Sequence, residues 1–252
     1  MCRPILRALI TALALQLGAG AAMAADLLVS AAASLTNAFA DIGTEFERAH
    51  PGTKVIFNFA GSGQLLQQIA KGAPVDVFAS ADQETMDKAD SEGLLESGTR
   101  GDFVRNALVV VVPSDSKLAI ATLNDLMKAD VRHVAIGNPD SVPVGRYSKA
   151  VLTASGHWSA LEPKVVNTQN VRQSLDYVAR GEVEAAFVYR TDAALFPDKV
   201  KIVLAVPTAK PILYPIAAIK NAAQKDIARD FVAFVKSDAA RVILTKYGFE
   251  KP

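Results

Sequence analysis

The chain has 252 residues, with 27 basic and 26 acidic side chains, and half of its residues are hydrophobic. So even a balance lacks the basic excess expected of a protein that binds nucleic acid or lies on a membrane surface. The only cysteine, Cys2, stands at the extreme N-terminus, so no disulfide, thiolate metal site or cysteine nucleophile is expected.

The first 24 residues are expected to be a cleavable secretory signal. Arg3 and Arg7 make a positive start, Ala8 to Leu17 is almost wholly apolar, and Ala22-Met23-Ala24 is an A-x-A cleavage site. The apolar run is shorter than the roughly 20 residues that a permanent membrane anchor needs. Cleavage removes two arginines and Cys2, leaving 228 residues with 25 basic and 26 acidic side chains. An exported chain without cysteines points to the bacterial periplasm, and this length suits one large domain or two small ones.

From there strand-like and helix-like patterns alternate. Leu27 to Ser30 reads as a short strand, and Leu35, Ala38, Phe39, Ile42 and Phe46 recur at helical spacing. "TKVIFNF" is the next strand, followed by a helix carrying Leu65, Leu66 and Ile69, then "VDVFAS" and a helix from Asp82. Such a series implies a parallel sheet with right-handed crossovers. "NALVVVV" is apolar on both faces and reads as a buried strand. A second series follows: a helix near Leu123 to Met127, the strand "HVAIG", a helix from Val144, "KVVN", a helix from Val171 and "AAFVY". "LYPIAAI" and a helix marked by Ile227, Phe231 and Phe234 are expected to pack back on the first unit. The pattern therefore predicts two α/β units that meet near residues 101 to 107.

Several strand ends run into small or hydroxylated residues that open a helix. Ser34 lies in "VSAAASLTN", Ser62 between Gly61 and Gly63 in "FAGSGQLL", Val144 in "PDSVPVGRY", and Val171 in "TQNVRQSL". In α/β sheets ligands bind outside the carboxyl ends of strands, and the first turn of a helix offers unpartnered N–H groups and the positive end of its dipole. Each segment also has a structural use: Ser34 as a cap, the glycines as a turn or as room for a ligand, and Pro143 as a helix start. Jointly they offer hydrogen-bond donors without charge. Each charge-assisted bond contributes about 1.5–3 kcal/mol against a large desolvation cost, so an anion needs several starts to converge.

The phrases "AAASLTNAF", "FAGSGQLLQQIAKGAPVDVFASADQETMDKA", "NALVVVVP", "IGNPDSVPVGRYSKAVL", "NVRQSLDYVARGEVEAAFVY" and "KYGF" resemble, in this order, the periplasmic molybdate-binding proteins of ABC importers. The resemblance covers nearly all of the chain after the signal. It implies a two-lobed α/β periplasmic binding protein of type II, each lobe a mostly parallel sheet flanked by helices, with the ligand cleft between them. Residues 25–104 and 214–252 are expected to form lobe I, and residues 105–213 lobe II. It further implies that a tetrahedral oxyanion, molybdate or tungstate, is held by the hydroxyls of Ser34 and Ser62, the main-chain N–H groups of Val144 and Val171, and the hydroxyl of Tyr189. The metal is then bound as its oxyanion, with no protein ligand on a cation and no separate cofactor. The implied partner is an ABC permease in the inner membrane, and the protein itself is expected to be a monomer.

A pocket lined only by donors suits a fully deprotonated dianion. Phosphate near neutral pH carries a proton that needs an acceptor, and its mismatch costs on the order of 1–3 kcal/mol. Arg146 and Arg172 flank two of the proposed amides and are expected to face solvent or brace the lobes. His50, His133 and His157 are scattered and read as structural or solvated. Two other classes stay open at this point. A serine hydrolase is one, although no G-x-S-x-G elbow, P-loop or H-E-x-x-H occurs and Ser62 in "AGSGQ" lacks the elbow spacing. A binding protein for sulfate, an organic acid or ferric iron is the other; an organic acid would favour an arginine fork in the pocket.

Overall fold

Strands that run into helices, as the pattern predicts, build the computed structural model, which describes residues 25–252. The signal segment lies outside the described residues. The first half contains β1 (Ala25–Ala32), α1 (Thr36–Ala49), β2 (Thr53–Ala60), α2 (Ser62–Ala70), β3 (Val77–Ala79), α3 (Gln83–Ser91), β4 (Gly101–Asn106) and β5 (Leu108–Pro113). Next come β6 (Val134–Gly137), α4 (Pro143–Ala154), α5 (Trp158–Leu161), β7 (Val165–Thr168), α6 (Val171–Ala179), β8 (Ala185–Tyr189) and α7 (Arg190–Ala193). The chain closes with β9 (Val200–Val206), β10 (Ile212–Ala218), α8 (Lys225–Val235) and α9 (Asp238–Lys246).

These strands form two five-stranded sheets, ordered β2-β1-β3-β10-β4 and β7-β6-β8-β5-β9. Neither sheet is wholly parallel. β10 runs antiparallel to β3 and β4, and β5 runs antiparallel to β8 and β9. The exception has the same cause in both sheets: β5 is the strand that enters the second sheet from the first, and β10 is the strand that returns. The chain thus changes sheet at Ala107 and again between Val206 and Ile212. β4 carries the first sheet to Asn106, and β10 rejoins it from Ile212.

Burial explains why each element forms. Leu108 to Val112 of β5 are fully buried, as a strand covered on both faces requires. α1 buries Ala38, Phe39, Ile42 and Phe46, and the Phe46 ring meets Phe231 of α8 edge-on at 5.1 Å, so the C-terminal helices do return to the first sheet. Three elements lack a clear pattern in the sequence. β4 buries only Phe103 and Val104, β9 is an edge strand with Ile202 exposed, and α9 buries only Ala240 and Leu244. The segment near Leu123 is a 3-10 turn closed by a Thr122–Asp125 capping box.

The junction between β6 and α4 has no room for a side chain at Gly145. A Cβ built on Gly145 would lie 1.7 Å from the carbonyl oxygen of Gly137. Only glycine lets the first turn of α4 rest directly on the end of β6. Gly145→Ala is therefore expected to destabilise the protein by about 1–3 kcal/mol, the usual cost of overpacking. Urea unfolding followed by circular dichroism checks this; an unchanged midpoint would contradict it.

Candidate functional site

The carboxyl ends of β1 and β2 in one sheet, and of β6, β7 and β8 in the other, face a common cleft. Ser34 sits in the 3-10 turn Ala33–Leu35 that follows β1, and Ser62 is the first residue of α2 after β2. Val144 follows Pro143 in the first turn of α4, Val171 opens α6, and Tyr189 ends β8. All five line one cavity of about 10 Å³, and all five are buried. The remaining lining comes from Ala32, Ala33, Ala60, Gly61, Ala81, Val142, Pro143 and Asn170. No charged side chain lines it.

Local bonding decides what these groups offer the cavity. Neither serine caps a helix with its side chain. Ser62 Oγ accepts the Ala81 N–H at 3.1 Å, which leaves its own hydrogen free. Ser34 Oγ lies 3.0 Å from Tyr214 Oη. The N–H groups of Val144 and Val171 belong to first turns, where the helix supplies no acceptor. Asn170 caps α6 by accepting from Gln173 N, so its side-chain oxygen is engaged away from the Val171 N–H. Tyr189 Oη is buried with no hydrogen-bond partner in the structure, and burial pushes its phenol well above the usual value, so it stays protonated. A buried hydroxyl without a partner is uncommon and marks a place for an acceptor.

The two glycines beside Ser62 have a use that the sequence reading did not single out. A Cβ on Gly63 would stand 2.6 Å from the Ser141 carbonyl oxygen, and one on Gly61 would stand 2.7 Å from that of Gln169. Both oxygens belong to the opposite half of the cleft. The glycines let the halves touch, and Gly63 N donates to Ser141 O at 2.9 Å.

Both arginines next to the proposed amides lie outside the cavity and join the halves. Arg146 on α4 donates to Asp82 Oδ2 at 2.8 Å and to Thr85 Oγ1 at 2.6 Å, both at the start of α3. Arg172 on α6 reaches Asn37 Oδ1 at 2.9 Å and the Ser34 carbonyl at 3.2 Å, while its Nε holds Asp192 at 2.6 Å. The sequence indicated that these arginines could brace the lobes; their carboxylate partners had no signal in it. The histidines sit elsewhere: His50 stacks on Phe46, His133 lies near Glu184, and His157 meets Ser155. Among the described residues no cluster of His, Cys, Asp or Glu is arranged to hold a metal ion.

Comparison with known proteins agrees with this architecture. Residues 27–250 match the model of the bacterial extracellular solute-binding proteins, and the chain belongs to that family. It is 36% identical to the molybdate-binding protein ModA of Escherichia coli K12 over 239 residues, covering 92% of each chain. The solved periplasmic molybdate-binding protein of Azotobacter vinelandii superposes with a TM-score of 0.78 at 28% identity, over 90% of this chain and 99% of that one. The sulfate-binding protein SubI of Mycobacterium tuberculosis H37Rv reaches a TM-score of 0.79 at 17% identity, over 90% of this chain and 87% of that one, which is a likeness of fold alone.

Asp192 is expected to make the stability of the protein depend on pH. It is fully buried, and desolvation, opposed by Arg172, carries its carboxyl from the ordinary 3.8 up to about 6. A raised carboxyl takes up a proton on folding, so its contribution to stability is present below pH ~4 and is lost as pH rises through ~6. Asp192→Asn is expected to remove that slope. Urea midpoints of variant and parent should then shift in the variant's favour between pH ~4 and ~7, and a constant difference would contradict the assignment.

Proposed function

We propose that this protein is the periplasmic solute-binding component of an ABC importer, and that it captures molybdate and its isostructural relative tungstate. The observation that carries this reading is the composition of the cavity: Ser34, Ser62, Val144, Val171 and Tyr189 line it together, and no charged side chain does. Neutral donors suit an anion that has no proton left to donate. The arginine fork that an organic acid would favour is not among the lining residues, and neither is the carboxylate that would accept the proton of hydrogen phosphate. The molybdate-binding names of the relatives support the same choice.

Each half of the cleft supplies part of the donor set, so the anion bridges the halves and stabilises the closed form. Only that form brings all donors together, and a ligand shifts such an equilibrium by its differential affinity for the two states. The closed form is what the membrane permease recognises. On this reading the protein works as a monomer, and the cavity serines serve as ligand donors and not as nucleophiles; their bonds to Tyr214 and to the Ala81 amide support that role. Charge and shape alone do not separate molybdate from sulfate. That discrimination falls to the fit of the small cavity.

Titration calorimetry of the purified protein tests the assignment. Molybdate is expected to bind at a ratio of one to one, and phosphate in excess is expected not to compete. Ser34→Ala and Tyr189→Phe should each weaken molybdate binding about tenfold or more, the loss of one charge-assisted hydrogen bond; the melting temperature of the free protein should not fall in Tyr189→Phe, whose hydroxyl has no partner there, and should fall in Ser34→Ala, which leaves the buried Tyr214 hydroxyl without its acceptor. Binding of sulfate or phosphate without molybdate would remove the reading. Gly63→Val, which adds no charge and removes no hydrogen-bonding side chain, should also weaken binding by holding the halves apart; affinity equal to the parent's would show that closure is not required.

A further inference from the structure

Tyr214 takes no part in lining the cavity, yet it stands at the centre of a buried hydrogen-bond chain that ends there. Its ring is fully buried and packs edge-on against Tyr189 at 5.7 Å. Its hydroxyl lies 3.0 Å from Ser34 Oγ and accepts from Asn106 Nδ2 at 3.3 Å. The polarity of this chain follows from one fixed donor. The Ala107 N–H donates to Asn106 Oδ1 at 2.9 Å, and since a backbone N–H can only donate, that atom must be the amide oxygen. The Asn106 nitrogen therefore faces the other way, toward Tyr214 and toward Thr191 Oγ1 at 2.8 Å.

Having accepted from Asn106, the Tyr214 hydroxyl has its own hydrogen left to give. Ser34 Oγ is its one acceptor in the structure, and a buried phenol donor requires one. Ser34 Oγ then already holds a donated hydrogen bond, so its own hydrogen turns to the cavity. Burial keeps the phenol protonated well above the usual range, so the chain does not reverse near neutral pH.

We infer that Tyr214 is a positioning residue: with Asn106 it makes Ser34 an obligatory donor toward the ligand, and thereby favours an anion that carries no proton. The inference rests on the proposed oxyanion site. It goes beyond it by assigning specificity to two residues that do not touch the ligand. Ser62 reaches the same state by another route, through the Ala81 amide, so both cavity serines have their acceptor side filled by the protein. Asn106 also ties the chain to both sheets, since it ends β4 while Thr191 lies in α7.

The test is a double-mutant cycle read by calorimetry with molybdate, using the parent, Ser34→Ala, Tyr214→Phe and the double variant, with melting temperatures measured in parallel. Tyr214→Phe is expected to weaken binding about three- to tenfold in the parent background, the range for one neutral hydrogen bond, and to have no further effect once Ser34 is alanine. A role limited to packing would lower affinity equally in both backgrounds, and that result would overturn the inference. So would parent-like affinity in Tyr214→Phe. If Ser34→Ala itself bound like the parent, the oxyanion site would be misplaced, which is a distinct failure. Should Tyr214→Phe not fold, Asn106→Ala enters the same cycle with the same expectations.

Discussion

Charge without countercharge is the constraint on which the rest of this structure depends. An anion taken out of water must find its hydrogen bonds in the protein, and here the lining offers hydroxyls and main-chain N–H groups with no cation among them. Such groups are individually weak, so their number and convergence decide the outcome. Convergence comes from the fold. Strands of both sheets end at one cleft, and at each end the chain turns straight into a helical start whose N–H groups have no internal partner. The tight seats of α4 on Gly137 and of Gly61 and Gly63 against the opposing loops bring those starts to one small cavity.

Full charges are present, but they are set one layer back. Arg146 pairs with Asp82, and Arg172 pairs with Asp192 while also reaching Asn37 and the Ser34 carbonyl. The Arg146 contacts and those of Arg172 to Asn37 and Ser34 cross between the halves without entering the cavity, while the Arg172–Asp192 pair lies within the second half. The division of labour is physical. An arginine in the pocket would attract any anion, whereas arginines committed to carboxylates hold the walls and leave selection to donor geometry and cavity size. Asp192 carries the cost of this design as a buried carboxylate whose proton affinity is raised, even with a guanidinium beside it.

Much of this was legible from the residues alone, for reasons that can be stated. Ser34, Ser62, Val144 and Val171 announce themselves because glycine, proline and hydroxylated residues punctuate the ends of strongly apolar strands. Tyr189 closes such a strand too, but only the family resemblance singled it out. β5 is visible because a run of five buried aliphatic residues has few other uses. β4, β9 and α9 escaped because they bury one or two side chains each, or lie at an edge, so their periodicity is diluted by polar positions. The antiparallel direction of β5 and β10 depends on how the two sheets exchange strands, which no local pattern encodes. For the same reason Asp82, Asp192 and Tyr214 carry no signal: each is defined by a partner that is distant in sequence.

The glycines show where local reading stops short. Flexibility around Ser62 was evident, but its purpose is contact between Gly63 and Ser141, residues brought together only by the cleft. Diffraction at the molybdenum absorption edge from crystals grown with molybdate tests the central claim most directly. The account predicts a single strong anomalous peak in the cavity, its oxygens within hydrogen-bond distance of the Ser34, Ser62 and Tyr189 hydroxyls and the Val144 and Val171 amides. A peak elsewhere, or one touched by a guanidinium or carboxylate, would contradict it.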